Sequence, residues 1–184
     1  MEAEHEVKDT EAEISVFKNG TLMRWEGPPM KAITIWQPWA DAIRCGAKMF
    51  ETRSYATRYR GELAIHASKH EPSCVMEHVA VSEAAQAIES SGLRSGLTHA
   101  RGAIIAVADL VRVWEPDALS INQGPLSQTE HDLGDFSAGR WAWELKCIRP
   151  ISPVPCKGAQ GLWTVPADVE QLVRVQLTER TRTR

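Results

Sequence analysis

At 184 residues with 43% hydrophobic and 24% charged side chains, the chain has the material for one domain with a sizeable core. Its formal charge of −3 is unevenly placed: residues 1–29 carry seven acids and three bases, residues 167–184 carry three acids and four arginines, and the span between them is neutral with 14 of each sign. No apolar run approaches membrane-spanning length, and Cys45, Cys74, Cys147 and Cys156 form no C-x-x-C pair behind a secretory signal, which speaks against a disulfide framework and for a reducing, cytoplasmic setting.

Residues 1–29 are acidic, lack sustained periodicity and end in Gly27-Pro28-Pro29. They are expected to be a disordered arm, with at most a short strand near Ile14–Phe17. Trp25-Glu26-Gly27 must be encoded UGG-GAR-GGN, which can spell a bacterial ribosome-binding sequence a short spacer ahead of the Met30 codon. The expectation is that translation starts naturally at Met30 and that the arm is an extension. A native product beginning at Met1 would end that idea.

The domain proper is expected over 30–166. Ile33-Thr34-Ile35 reads as a β-branched strand, Pro38 suits the start of a helix and Gly46 suits its end. Lys48 to Arg53 then returns as a strand bearing Lys48, Glu51 and Arg53. Such charges suit a solvated strand edge, or a salt bridge at the strand's entry. Residues 44–70 hold six bases and two acids, which fits either a solvated basic face or a receiver of phosphate.

Glu62 to Ala67 is a strand with Leu63, Ile65 and Ala67 on one face and His66 on the other. His66 has three readings: a hydrogen-bonded structural histidine, a ligand contact in a cleft, or a metal ligand with His70 and Cys74. Pro72 breaks the helix that metal spacing would need, so no metal and no cofactor is expected. Residues 73–91 read as a packing helix stopped by Gly92, and Gly102 to Val113 as the strongest strand. From Trp114 to Gly139 the chain makes a long excursion, suited to closing over a cleft, in which Ser127-Gln-Thr-Glu130 is a capping box for a helix over about 128–133. In Arg140 to Ile148, Trp141, Trp143, Leu145 and Cys147 alternate with Arg140, Glu144 and Lys146, as in a strand with one buried face. Pro150, Pro153 and Pro155 give an extended connection, and 161–165 a last short strand. Residues 167–184 are expected to start with a helical turn and fade into a disordered C-terminal tail.

Several of these segments together resemble one family. Ile35-Trp-Gln-Pro-Trp-Ala40, Gly46-x-Lys48-x-x-Glu51-x-Arg53, Tyr59 to Ser68, Gly102 to Leu110, Ala138 to Leu145 and Lys157 to Trp163 occur in the order seen in the ASCH domain family, in a small bacterial or phage-type member. The resemblance implies an α+β fold, a PUA-like mixed β-barrel with flanking helices. It also implies an RNA or nucleotide partner, because the fold is similar to RNA-binding PUA domains.

Signatures of phosphate-binding loops, dinucleotide folds, nucleophile elbows and zinc proteases are missing. Aromatic faces that stack on unpaired bases, cations for phosphates, and Gln or Glu for base edges are present. The candidate ligand-binding residues are Trp36, Gln37, Trp39, Lys48, Glu51, Arg53, Tyr55, His66 and Arg140; most of the seven tryptophans should be core. The leading expectation is an RNA- or nucleotide-binding module recognising an unpaired base or modified nucleoside. The alternative rests on the resemblance: some ASCH proteins are amidohydrolases that deacylate acylated cytidine with a lysine, a threonine and a glutamate. Lys48 matches that lysine, but Glu51 stands at the threonine position, and Thr52 is expected on the opposite strand face. Lys48 and Glu51 would then share proton transfer and water activation, with a second carboxylate from Glu130 or Glu144.

Overall fold

The computed structural model describes residues 14–18, 21–25, 27–92 and 97–182. Its centre is a curled, mixed six-stranded half-barrel, giving an α+β domain. The strands are β3 (Lys31–Ile35), β4 (Phe50–Arg53), β5 (Gly61–Ala67), β6 (Ala103–Trp114), β7 (Trp141–Pro155) and β8 (Leu162–Thr164), in the order β4-β7-β6-β5-β3-β8. Among the described strands only β3 and β5 pair in parallel; the crossover between them carries helix α1 (Trp39–Cys45) and β4.

Both faces of this sheet are covered, which is why β5 and β6 read as nearly unbroken apolar runs. On one face Ile33, Leu63, Ile65, Ile105 and Trp143 pack with Ile43 of α1. On the other, Met30, Ala64, Ile104 and Val107 pack under Val169 and Val173 of helix α5 (Ala167–Arg182). Each fully buried Ile or Leu contributes about 1.5–3 kcal/mol.

Helix α5 corrects the expected fading tail. Val169, Val173 and Leu177 form a stripe against the sheet, and tertiary packing of this kind stabilises a helix that the Arg/Thr-rich sequence alone would not. Buried Glu170 accepts the Met30 amide at 3.0 Å and pairs with Arg174 at 2.6 Å, so α5 also fixes the entry to β3. The short strand expected near residue 14 lies within β1 (Ile14–Lys18), which pairs with β2 (Thr21–Trp25) in a two-stranded hairpin. Of the rest of the expected arm, residues 1–13, 19, 20 and 26 lie outside the described residues.

The expected α1 is present. Gly46 ends it at φ 84°, where a side chain would be strained, and the Gly46 and Ala47 amides close back onto Ile43 and Ala42. The packing helix is α2 (Val75–Ser90). The long excursion contains α3 (Pro116–Gln123), not anticipated, and α4 (Gln128–Leu133), at the expected place. In β7 the simple alternation fails. Trp143 and Leu145 are buried, but so is Glu144, while Cys147 is exposed at φ 47°. Register shifts along the β6–β7 pair move residues between faces, which no period-two pattern anticipates.

Candidate functional site

The sharp turns around α1 leave a cavity of about 540 Å³ where the end of β3, the start of α1, β4 and the segment after α4 meet. Of the sequence candidates, Trp36, Trp39, Lys48, Glu51, Arg53, Tyr55 and Arg140 line it. Lys48 is 1% exposed; its Nζ donates to the Leu133 carbonyl at 2.7 Å and lies 3.8 Å from Glu51 Oε2. Glu51 Oε1 is 3.1 Å from Arg53 Nε, and Arg53 Nη2 donates to the Thr34 carbonyl at 3.0 Å. A row of alternating charge, buried at Lys48 and Glu51 and half-buried at Arg53, therefore runs from α4 to β3. Burial pushes the Lys48 ammonium below the ordinary lysine pKa and Arg53 adds to this, against the opposing pull of Glu51 and Glu130.

The aromatic wall is built from residues with different duties. Trp36 is 43% exposed and stacks on His70, with ring centroids 3.8 Å apart and planes 20° from parallel. Trp39 is half-buried and packs into the core beneath. Tyr55 is exposed and meets fully buried Trp143 edge-on, and Trp143 Nε1 donates to the Tyr55 carbonyl at 3.2 Å. Trp143 and Trp114 are buried in the core, and Trp141 and Trp163 pack against it half-buried, in keeping with the expectation for most of the tryptophans.

Two candidates lie outside this cavity. Gln37 is buried and fully occupied: it donates to Asp41 Oδ2 at 3.1 Å and to the Ala100 carbonyl at 2.8 Å, and accepts from the Asp41 amide at 3.1 Å. Asp41 in turn receives Thr98 and His99, so Gln37 is part of a latch holding α1 to the segment before β6. His66 is buried beneath a second hollow, its Nε2 3.2 Å from the Cys156 carbonyl and its Nδ1 without a hydrogen-bond partner. Burial lowers its pKa. Among the described residues no group of three His, Cys, Asp or Glu side chains is placed to hold a metal ion.

Neither carboxylate weighed as a second cleft acid lines the cavity. Glu130 turns away from the capping-box partner its spacing suggests: Ser127 Oγ accepts the Glu130 amide at 3.2 Å, but the Glu130 carboxylate accepts the amides of Met49 and Phe50. It is a buried bracket for the start of β4, and burial raises its pKa although those amides and Lys48 oppose the rise. Glu144 accepts from Trp114 Nε1 at 2.8 Å and pairs with Lys146 at 3.0 Å. Besides Glu51, the acids that reach the cavity are Asp132 and Asp135, supplied by the long excursion. Hydrogen bonds from Ser137 hold the Asp135 carboxyl below the usual range, and Arg140 Nε stands 3.3 Å from it. Thr52, expected on the far face, also contributes to the lining, with Oγ1 accepting the Asp135 amide at 3.1 Å.

The ASCH domain profile matches residues 33–154. The chain belongs to the ASCH domain family. That membership carries the PUA-like fold, usually linked to RNA binding. Among solved structures, ASCH from Zymomonas mobilis is 17% identical, with 80% of this chain and 95% of that one covered and a TM-score of 0.48. A point mutant of the same Zymomonas mobilis protein is 16% identical, with 80% and 99% covered, at a TM-score of 0.48. No curated protein matches the chain. No helix among the described residues of this ASCH domain is long and apolar enough to cross a membrane.

Beside the first cavity lies the second hollow, of about 680 Å³, sharing Thr34, Trp36 and Arg53 with it. Its remaining lining comes from the end of β5 (His66, Ser68 to His70) and from the loop 157–161. In the sequence, Lys69 figures only as one of a basic excess and Lys157 only within a closing segment. Three-dimensional neighbourhood, not spacing, joins them.

Proposed function

We propose that this ASCH domain binds an unpaired base or modified nucleoside, within RNA or as a nucleotide, in the cavity bounded by Trp36, Trp39 and Tyr55. The observation that supports this is the pairing of an exposed indole with a buried, charged row. Trp36 supplies a stacking face, worth about 1–3 kcal/mol per base. Lys48 has three donors and two partners, Leu133 and the more distant Glu51, so one N–H remains for a base carbonyl. Glu51 supplies acceptor oxygens for a base N–H, and a buried polar row of this kind discriminates because a wrong base leaves it unpaired.

A second reading, amide hydrolysis of an acylated cytidine, is favoured by one feature: a buried lysine with a lowered pKa beside Glu51. In that reaction Glu51 takes a proton from water, the resulting oxygen attacks the acyl carbon, and Lys48 delivers a proton to the departing exocyclic nitrogen as the C–N bond breaks. The products are a carboxylate and the free base amine. The Thr52 hydroxyl is engaged by the Asp135 amide, and Glu51 occupies the sequence position at which the resemblance to cytidine-deacylating ASCH proteins implies a threonine.

Incubation of the protein with acylated cytidines and short single-stranded RNAs separates the readings. Binding followed by tryptophan fluorescence without product on chromatography supports the recognition module. Release of the acyl group, lost in Lys48→Ala, supports the hydrolase. Absence of both removes the proposal.

A further inference from the structure

We infer that the second hollow is a phosphate subsite, so that the ligand of this ASCH domain is a nucleoside carrying a phosphate and not a free nucleoside. The inference rests on the base-binding reading above and extends it by one group.

Charge is the first support. Arg53, Lys69 and Lys157 line the hollow, and no Asp or Glu does. Arg53 is already paired with Glu51 at 3.1 Å, as Arg101 is with Glu71, Arg140 with Asp135, and Arg149 with Glu62 and Asp109. Lys69 and Lys157 have no ion-pair partner among the described residues. Two such unneutralised lysines on one concave surface raise the local potential and favour an anion.

Backbone placement is the second. Gly102 sits at φ +63°, and a Cβ there would collide with Lys69 Cε and stand 2.6 Å from its Cγ, so the absence of a side chain lets the Lys69 arm lie along this wall. At Gly158 a Cβ would stand 2.6 Å from His66 Nδ1 and 2.7 Å from Thr34 Oγ1, so the loop backbone rests directly on the floor of the hollow. None of the described hydrogen bonds uses the amides of Gly158, Ala159 or Gln160, so the loop that lines the hollow beside Lys157 brings main-chain donors with no described partner.

Continuity is the third. Trp36 borders both hollows, and His70 covers one of its faces from the side of the second. A base stacked on Trp36 thus has its sugar at the boundary formed by Thr34 and Arg53, with the cations beyond. The same lysines suit a terminal monophosphate or the phosphodiester of an RNA strand.

The test compares cytidine, cytidine 5′-monophosphate, a cytidine-containing dinucleotide and inorganic phosphate on the wild-type chain and on Lys69→Ala/Lys157→Ala, by calorimetry at low salt. Both lysines are exposed, and a cooperative melt checks the fold; Lys157→Gln, in a surface loop, serves as the milder variant. The monophosphate is expected to bind on the order of tenfold tighter than cytidine. The double variant should erase that difference without weakening cytidine, and Lys157→Gln should reduce it. A dinucleotide that gains as much as the monophosphate identifies the source as an RNA backbone; a gain confined to the monophosphate identifies a free nucleotide. Equal binding of cytidine and its monophosphate by the wild type, or equal weakening of both in the double variant, overturns the subsite. Lysine-dependent binding of inorganic phosphate with no binding of cytidine upholds the subsite and removes the base-binding reading instead.

Discussion

The two adjoining hollows share Thr34, Trp36 and Arg53 but differ in how their charges are balanced. In the first, Lys48, Arg53 and Arg140 face Glu51, Asp132 and Asp135, and the row is held by ion pairs and backbone carbonyls. In the second, Lys69 and Lys157 stand without an acid partner among the described residues, and only the shared Arg53 is paired, with Glu51. A balanced, partly buried row costs less to desolvate than a lone charge and suits a neutral ligand with a donor and acceptor edge. An unbalanced, open one suits an anion whose own charge completes it. On the reading proposed above, the indole of Trp36 divides the place of a base from that of its phosphate.

The largest expected effect comes from breaking the balanced row. Lys48→Met keeps most of the volume and removes the free donor; affinity for a nucleoside should fall on the order of 100-fold while the melt stays cooperative. Fluorescence titration and a thermal scan on one preparation check both halves. A lowered Tm with unchanged affinity would mean that Lys48 serves the fold alone. Trp36→Ala tests the shared wall. Loss of one stacking face should weaken every base-containing ligand by about 1–3 kcal/mol and leave inorganic phosphate unaffected, which direct calorimetry distinguishes.

Glu130→Gln addresses how the first cavity is held open. One of the two amide contacts at Met49 and Phe50 would face an NH2 group in place of an oxygen, for a stability loss of about 1–2 kcal/mol in a denaturant titration. Ligand affinity should change less than in the Lys48 variant, because Glu130 does not line the cavity. The smallest effect belongs to His66, under the second hollow. Burial holds its folded pKa below the ordinary value of 6.5, so below that pH the unfolded chain takes up a proton that the folded chain refuses. Stability should therefore decline as pH falls through 6.5 and level off below the folded pKa. His66→Phe should flatten that decline in Tm measured against pH; an unchanged slope assigns it to other groups.

Much of the fold was legible because local chemistry and tertiary packing agree there. Gly46 closes α1, Ser127 starts α4, and the apolar runs of β5 and β6 lie between two covered faces. Where they diverge the sequence misleads. Glu130 sits at capping-box spacing but braces β4, Gln37 occurs in the family motif yet serves a latch, and Cys147 leaves the buried face because the β6–β7 register shifts. The Lys48, Glu51 and Arg53 row was readable from one strand. Asp132 and Asp135 were not, since only the path of the long excursion brings them to it, and Lys69 and Lys157 meet across 88 residues of chain.

The central claim is that the cavity at Trp36 and Lys48 recognises a base. The most direct measurement is a fluorescence titration of the wild type and Lys48→Met with the acylated cytidines and short single-stranded RNAs, with products followed by chromatography. Saturable quenching by at least one of them, lost in Lys48→Met without loss of the cooperative melt, is the predicted result. No saturable binding by the wild type, or binding that survives Lys48→Met undiminished, would contradict the account.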